Sequence, residues 1–344
     1  MGLRISLAPP KKRNITNHKN LDIMKKGFFS SLLGAFVLMG LVACSSEVAS
    51  ISDEEVASVP VEVTFTGFDV SVLPEAPKKV RSRATADDAG VTRIAFKAFD
   101  IITGKEVFST VKSKGTDVED FNRVKCHLPV SAYTFVAVAH KAKTTESSAA
   151  NIVSTKEATI SEKNLPKEVY ATIKGNVFVD NNTTKDFTIS FGKRVTSTFS
   201  LNITDAASLN SKNCAPYIVK KVEIVLNPSH NEASELHTFN PTTGLTPEAQ
   251  TYQAEINRPD DGKFTFPKNF HFLLASAEQT MDVVINMKDE KGKVLYTRTL
   301  QNVSFKQHRV TEAKGTFFSS DVTGSFDFDI QDDDQVIVPL YPRN

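Results

Sequence analysis

The sequence predicts an all-β protein with two tandem β-sandwich domains. Nearly every apolar pattern repeats every two residues, as Ile94, Phe96 and Ala98 do. This period places alternate side chains on the two faces of a strand, whereas a helix needs a period of about 3.6. Turn dipeptides such as Thr103-Gly104 and Lys291-Gly292 separate many of the segments. Many short strands with little helix are typical of β-sandwiches.

The predicted strands follow one another from residue 61 to the end. The uninterrupted apolar run YTFVAVA, residues 133–139, is predicted as a strand that is buried on both faces. The alternating segments lie at 61–65, 68–72, 94–98, 187–191, 195–203, 222–226, 281–287, 326–330 and 336–340. The polar stretch DNNTTK places the domain boundary near Thr184, so the expected domains are 61–184 and 185–344. The polar loop 227–253 is interpreted as an excursion from the second sandwich or as a contact surface.

An export signal is predicted before the first strand. Lys25 and Lys26 precede the apolar residues 27–42, a run shorter than the roughly 20 residues that a spanning helix requires. Residues 24–43 are therefore interpreted as a signal peptide. The ending LVAC resembles the lipobox of bacterial lipoproteins, which implies that Cys44 carries the lipids, palmitate among them, and becomes the mature N-terminus. The alternative is an ordinary signal peptide with an incidental cysteine.

Two further segments are excluded from the predicted fold. Residues 1–23 lack apolar periodicity and precede the charged start of the signal, so translation is expected to begin at Met24. A functional cytoplasmic extension is the alternative. Residues 44–60 are small, acidic and polar, and are interpreted as a tether.

Composition narrows the function classes. The net charge is +1, which does not indicate a nucleic-acid surface. With 24 Phe, 6 Tyr and 40% hydrophobic residues, the chain can fill a core although it has no Trp. Besides Cys44, only Cys126 and Cys214 are present, and they either form a disulfide after export or remain two buried thiols.

Motifs of catalysis are missing from the sequence. It has no G-x-S-x-G elbow, H-E-x-x-H, phosphate loop or paired C-x-x-C. His230 and His237 share the polar loop and are expected to be solvated rather than metal ligands. The run DDD at 332–334 lacks the glycine and glutamate of a calcium loop and is interpreted as a charged turn. No enzyme activity, metal or cofactor is expected.

Three stretches together resemble the fimbrillin family, the pilus subunits of Bacteroidetes-type bacteria. They are VTRIAFKAFDIITGK at 91–105, CHLPVSAYTFVAVAH at 126–140 and FTISFGKRVTSTFSLNI at 187–203. Arg194 matches the family, whereas Ser131-Ala132 and Thr198 stand where glycine and alanine are common. The resemblance implies two transthyretin-like sandwiches and a fimbrial subunit.

The resemblance also implies a removable first strand. Val61, Val63 and Phe65 alternate on one parity, and Phe68, Val70 and Val72 alternate on the other, with Gly67 at the switch, where a bulge is expected. The same segment, 61–83, ends in a basic loop that follows this strand. In the family, an arginine-specific protease cuts such a loop, which implies cleavage after Arg83, or after Arg81 as the second choice. A solvated basic loop is the alternative.

The end of the chain has the pattern of a donated strand. Residues 324–340 alternate, and Val336, Val338 and Leu340 are the expected donor side chains. The alternative is the last strand pair of its own sandwich.

The function that these patterns predict is a fimbrial subunit. It would be exported as a lipoprotein and assembled with other fimbrial subunits into a homo- or heteropolymer. Its expected location is the outer membrane and the cell surface, and stalk, tip and anchor roles all fit. The alternative function is a surface lipoprotein that binds a glycan or host ligand without polymerising.

Overall fold

The computed structural model describes residues 58–68, 85–86, 89–115, 120–142, 150–162, 164–181, 185–211, 218–229, 233–318 and, for the backbone, 326–331. The all-β prediction is confirmed. The only helix among these residues, α1, spans Ala207–Asn210. No helix in the described part of the chain is long and apolar enough to cross a membrane.

The strands are numbered in chain order. The first nine are β1 (Ser58–Phe68), β2 (Arg93–Asp100), β3 (Glu106–Ser113), β4 (Arg123–Pro129), β5 (Ser131–His140), β6 (Asn151–Ser154), β7 (Glu157–Ser161), β8 (Val169–Val179) and β9 (Lys185–Gly192). The remainder are β10 (Ser197–Ile203), β11 (Lys221–Leu226), β12 (Leu236–Phe239), β13 (Tyr252–Asn257), β14 (Lys268–Phe272), β15 (Glu278–Lys288), β16 (Val294–Lys306), β17 (Val310–Gly315) and β18 (Phe326–Gln331).

Two sheets form the first sandwich. One has the strand order β4-β1-β9 and the other β3-β2-β5-β8. Aromatic side chains from both sheets meet between them: the rings of Phe65 and Phe96 are 5.8 Å apart, and those of Phe135 and Phe187 are 5.6 Å apart. Alternation along each strand directs these rings into a shared core.

The boundary between the sandwiches lies later than predicted. β9 pairs in parallel with β1, with Val61 opposite Lys185 and Phe65 opposite Ile189. Residues 185–192 therefore belong to the first sandwich, and the chain passes to the second between Gly192 and Ser197. The expected boundary near Thr184 was too early because alternation identifies a strand without identifying its partner.

The second sandwich consists of the sheets β14-β10-β17-β18 and β13-β11-β15-β16. β10 opens it and pairs in parallel with β17. Phe305 lies at its centre, with its ring 5.1 Å from that of Phe272 and 6.1 Å from that of Phe199.

A third small sheet connects the two halves. Its order is β12-β7-β6, and β12 comes from the polar loop after β11. β12 pairs antiparallel with β7 of the first half, with Phe239 opposite Ala158. The loop therefore leaves the second sandwich and contacts the first half through β12, so both interpretations of it describe part of the structure.

His237 of β12 is buried, so the expectation of a solvated loop histidine was wrong. Its side chain is 2% exposed, and its ring stacks 5.4 Å from the ring of Tyr252. Its Nε2 atom is 2.9 Å from the carbonyl oxygen of Glu162. The strand L-H-T-F is too short for a clear alternation, which is why no pattern in the sequence indicated it.

The prediction that β5 is buried on both faces is confirmed. Phe135 and Ala137 face the core of the first sandwich, while Val136 and Val138 pack with Ile152 and other residues of the second core. The small connecting sheet lies against this outer face, which explains why the run has no polar alternation.

Candidate functional site: the first strand

β1 is the central strand of its sheet. It pairs antiparallel with β4 and parallel with β9, and both ladders run along most of its length. Removing β1 would leave β4 and β9 without a common neighbour. Their backbone groups would then line an open slot that only another strand can fill.

The inner face of β1 is almost completely buried. Its core side chains are Val59, Val61, Val63, Phe65 and Phe68 at 6, 2, 0, 0 and 0% exposure. Burying an apolar side chain of this size contributes about 1.5–3 kcal/mol, so the five together contribute on the order of 10 kcal/mol. A domain has a net stability of about 5–15 kcal/mol, so loss of this strand is comparable to the stability of the whole sandwich.

Gly67 switches the buried parity, as the alternation indicated, but the switch does not use a bulge. Thr66 lies opposite Ser190 and Phe68 opposite Gly192, so the register with β9 is the same on both sides of Gly67. The residue has φ +69°, a conformation that glycine adopts easily. A Cβ atom there would overlap the Oγ atom of Ser190 and lie 3.0 Å from the Cβ atom of the same serine. Glycine is therefore required at this position for two reasons: it adopts the positive φ, and it has no Cβ atom to overlap Ser190.

The aromatic end of β1 packs against rings from two other strands, β8 and β9. The ring of Phe68 is 4.6 Å from that of Phe191 and 5.1 Å from that of Tyr170, and Phe65 lies 5.9 Å from Phe191. Stacked and edge-to-face pairs of this kind contribute about 0.5–1.5 kcal/mol beyond burial. The last part of β1, which precedes the basic segment of the sequence, is thus firmly packed.

Cys126 lies in β4 directly opposite Val61 of β1. It carries a free thiol that is 7% exposed, and its burial raises the pKa to about 11. At neutral pH it is therefore protonated and unreactive. The alternatives were a disulfide or two buried thiols, and in the structure Cys126 is a buried free thiol. Cys214 lies outside the described residues.

Several predicted site residues lie outside the described residues. They are Cys44, Val70, Val72, Arg81, Arg83, Val336, Val338 and Leu340. Their lipidation, cleavage and donor roles remain predictions.

The described part of the candidate donor segment is paired within its own sandwich. β18 forms the edge of the sheet β14-β10-β17-β18 and runs antiparallel to β17, with Ala313 opposite Phe328. For these residues, the structure agrees with the alternative, in which the segment is a strand of its own sandwich.

The beginning of β1 and its pairing with β9 were not predicted from the sequence. Val59 has the same parity as Val61, but Pro60 between them obscured the pattern. Proline lacks the N–H that a ladder needs, and in β1 it is tolerated near the start of the strand. The signal that could have been used is the unbroken V-x-V-x-V-x-F spacing from Val59.

Titratable side chains in the described residues do not form a metal site: no three His, Cys, Asp or Glu side chains come together in a suitable arrangement.

No protein-family model matches the sequence, and no curated protein matches it. Solved structures with a similar chain path exist. A fimbrial assembly protein from Parabacteroides distasonis has 11% identity and a TM-score of 0.44, covering 80% of this chain and 96% of its own. The fimbrial anchor protein of Porphyromonas gingivalis has 12% identity and a TM-score of 0.42, with coverage of 80% and 97%.

A third neighbour is a Bacteroides thetaiotaomicron protein proposed to bind polysaccharide. It has 12% identity and a TM-score of 0.44, and the match covers 75% of this chain and 92% of that chain. At these values the neighbours carry no assignment of function to this chain.

Proposed function

We propose that this protein is a structural subunit of a cell-surface fimbria. It is exported as a lipoprotein through Cys44 and assembles by strand donation after an arginine-specific protease removes its first strand. The observation that carries the proposal is the position of β1, a buried central strand that is followed in the sequence by the basic segment with Arg81 and Arg83.

Energetics supports the coupling of cleavage to assembly. The five core side chains of β1 contribute on the order of 10 kcal/mol, comparable to the stability of a domain. A cut subunit that loses β1 therefore recovers stability only when another strand enters the slot between β4 and β9. A donated strand would restore both the backbone ladders and the apolar contacts.

The donor in this proposal is the end of another subunit. Val336, Val338 and Leu340 have the alternation that the slot between β4 and β9 requires. They follow β18, which lies at a sheet edge. A second subunit, identical or different, would supply them.

Exchange of arginine for lysine in the basic segment tests the proposal. The double variant Arg81→Lys/Arg83→Lys keeps the positive charge but removes the sites for an arginine-specific protease. We expect uncut lipoprotein in the membrane fraction and none in fibres sheared from the cell surface. The matched control is Arg123→Lys, an exchange in β4 at a side chain that is 54% exposed, which should leave processing unchanged. Incorporation of the uncut double variant into fibres would contradict the proposal.

A further inference from the structure

One end of the first sandwich carries a group of exposed apolar side chains. Ile102 and Phe178 are 85 and 67% exposed, and Ile101 and Val130 are 42 and 45% exposed. Single exposed apolar residues are ordinary, but several together on one surface usually mark a contact with a partner or a membrane. We call these four residues the end patch.

The strand registers bring the end patch together on the outer face of the sheet β3-β2-β5-β8. Ile101 follows β2, and its backbone N–H donates a 2.9 Å hydrogen bond to the carbonyl oxygen of Ala132 in β5. Ala132 in turn lies opposite Phe178 of β8. These three residues therefore lie side by side, on the face opposite to the core residue Tyr133. Val130 directly precedes β5 at the same end of the sheet.

The turn that presents Ile101 and Ile102 is held by a network of hydrogen bonds. Oδ1 of Asp100 accepts from N and Oγ1 of Thr103 at 2.8 and 2.9 Å, and Oδ2 accepts from Oγ of Ser131 at 2.6 Å. Exposed turns usually consist of Gly, Pro, Asn, Asp or Ser, which suit the backbone geometry. Packing within the described residues does not account for two isoleucines in an ordered, exposed turn, so they indicate a contact outside the chain.

The position of the end patch indicates that its partner is a membrane. β1 begins at Ser58, which lies opposite Pro129, beside the end patch. Because β1 and β9 run in parallel, Gly192 lies at the other end of the sandwich, next to Phe68, and the chain passes to the second sandwich from there. Residues 44–57 span at most about 50 Å when fully extended. A lipid on Cys44 would therefore hold the end patch, rather than the second sandwich, next to the bilayer.

We propose that the end patch of the lipid-anchored precursor inserts into the membrane surface. This rests on the lipid at Cys44 in the proposed function. The side chains of Ile102 and Phe178, the most exposed of the four, enter the interface between headgroups and acyl chains, where burial of their apolar surface stabilises the contact. Lys105, exposed after the same turn, supplies a cation for lipid phosphates.

Insertion would orient the first sandwich for processing. With the end patch in the membrane, the end of β1 at Phe68 faces away from the bilayer. The segment that contains Arg81 and Arg83 continues the chain from that end, so it begins on the side that a protease outside the membrane can reach.

An introduced tryptophan reports insertion, because the chain has none of its own. The protein that begins at Cys44 keeps every described strand, and with Phe178→Trp and Cys214→Ser it is coupled through Cys44 to a maleimide lipid in vesicles of phosphatidylethanolamine and phosphatidylglycerol. Cys126 does not compete, because burial raises its pKa to about 11. We expect the emission to shift to shorter wavelength on coupling and to be quenched by lipids with brominated acyl chains. The matched control is Val294→Trp, at an exposed position in the second sandwich, which should show neither effect.

A second variant removes apolar surface without touching the reporter. Ile102→Ser in the Phe178→Trp protein should lower the equilibrium constant for docking about tenfold, since a large side chain no longer leaves water on insertion. Its urea unfolding should match that of the parent, because the side chain is exposed in the free protein. Leu236→Ser, at an exposed position in the third sheet, is the control and should dock as the parent does.

The chemical coupling separates this inference from the proposed function, because it anchors Cys44 whether or not the bacterium attaches lipids there. Four results would overturn the inference: no emission shift in the coupled Phe178→Trp protein, equal quenching of the Val294→Trp control, unchanged docking of the Ile102→Ser variant, or a shift without vesicles that grows with protein concentration. The last would mean that the end patch contacts a second copy of the chain. Mass spectrometry that finds no lipid on Cys44 of the protein from its own bacterium would instead contradict the export step of the proposed function.

Discussion

At the residue scale, Gly67 determines whether β1 can present both halves of its apolar face. Replacing it with alanine forces an L-residue to φ +69°, at about 1–2 kcal/mol, and adds an overlap with Ser190 that costs about 1–3 kcal/mol. Gly192 is a matched control because it has the same φ of +69°, while a Cβ atom added there would meet no atom within 4 Å. In urea unfolding, Gly67→Ala should therefore lose clearly more stability than Gly192→Ala. Equal losses would show that the contact with Ser190 is unimportant.

Glu223 is predicted to make the second sandwich sensitive to acid. Burial alone would raise its pKa, but Lys288 (2.6 Å) and Asn286 (2.8 Å) donate hydrogen bonds to it, as does Gln253, and they hold the pKa below its usual value. The unfolded chain then binds the proton more readily, so the stabilisation is present above about pH 4.5 and is lost as the pH falls below it.

Urea unfolding across this pH range is the measurement. Glu223→Gln should lower stability at neutral pH and show a flatter decline on acidification than the wild type. Glu106→Gln, which breaks an exposed pair with Lys97, serves as the control, since exposed pairs contribute little. A wild-type acid slope in Glu223→Gln would contradict the assignment.

At the element scale, Cys126 reports whether β1 is in place. It is opposite Val61, is 7% exposed, and has a pKa raised by burial to about 11. In a Cys214→Ser background, iodoacetamide should label Cys126 slowly in the intact protein. After cleavage behind Arg83 and release of the N-terminal piece, labelling should become at least tenfold faster, because the thiol is then solvated. A peptide of residues 324–340 should restore protection.

Unchanged labelling after β1 has been released would show that the slot closes without a donor. Rapid labelling before cleavage would show that β1 is not stably paired between β4 and β9. The fully denatured protein gives the reference rate for an exposed thiol.

The sequence indicated where the strands lie better than it indicated which strands pair with each other. The spacing of Val61, Val63 and Phe65 predicted a core strand, because alternation decides which side chains face inward. The spacing of Phe187, Ile189 and Phe191 predicted a strand equally well, but its parallel pairing with β1, more than a hundred residues earlier, leaves no local pattern. The same reason explains why the boundary at Thr184 was misplaced.

At the scale of the whole molecule, the third sheet joins the two sandwiches through strands from both halves. Phe239 of β12 is 1% exposed and belongs to the same core as Ile160 of β7 and Phe272 of β14. We expect thermal unfolding of the wild type in a single transition. Phe239→Ala should cost about 3–5 kcal/mol and separate the transition into two.

Leu236→Ala is the matched control, since this side chain in the same strand is 51% exposed and should leave the single transition intact. Calorimetry distinguishes the outcomes. A single transition in Phe239→Ala at an unchanged temperature would mean that β12 does not couple the halves. Two tandem sandwiches followed from the alternation, but this coupling could not be predicted, because β12 is a four-residue strand within a polar loop.

In the proposed assembly, the mature fibre contains the protein without its first strand. N-terminal sequencing of the protein in fibres sheared from the cell surface tests this most directly. We expect a start at Ala84, directly after Arg83, with a start at Ser82 as the product of cleavage at Arg81. A start at Cys44 alone would contradict the proposal, because β1 would then still occupy the slot between β4 and β9.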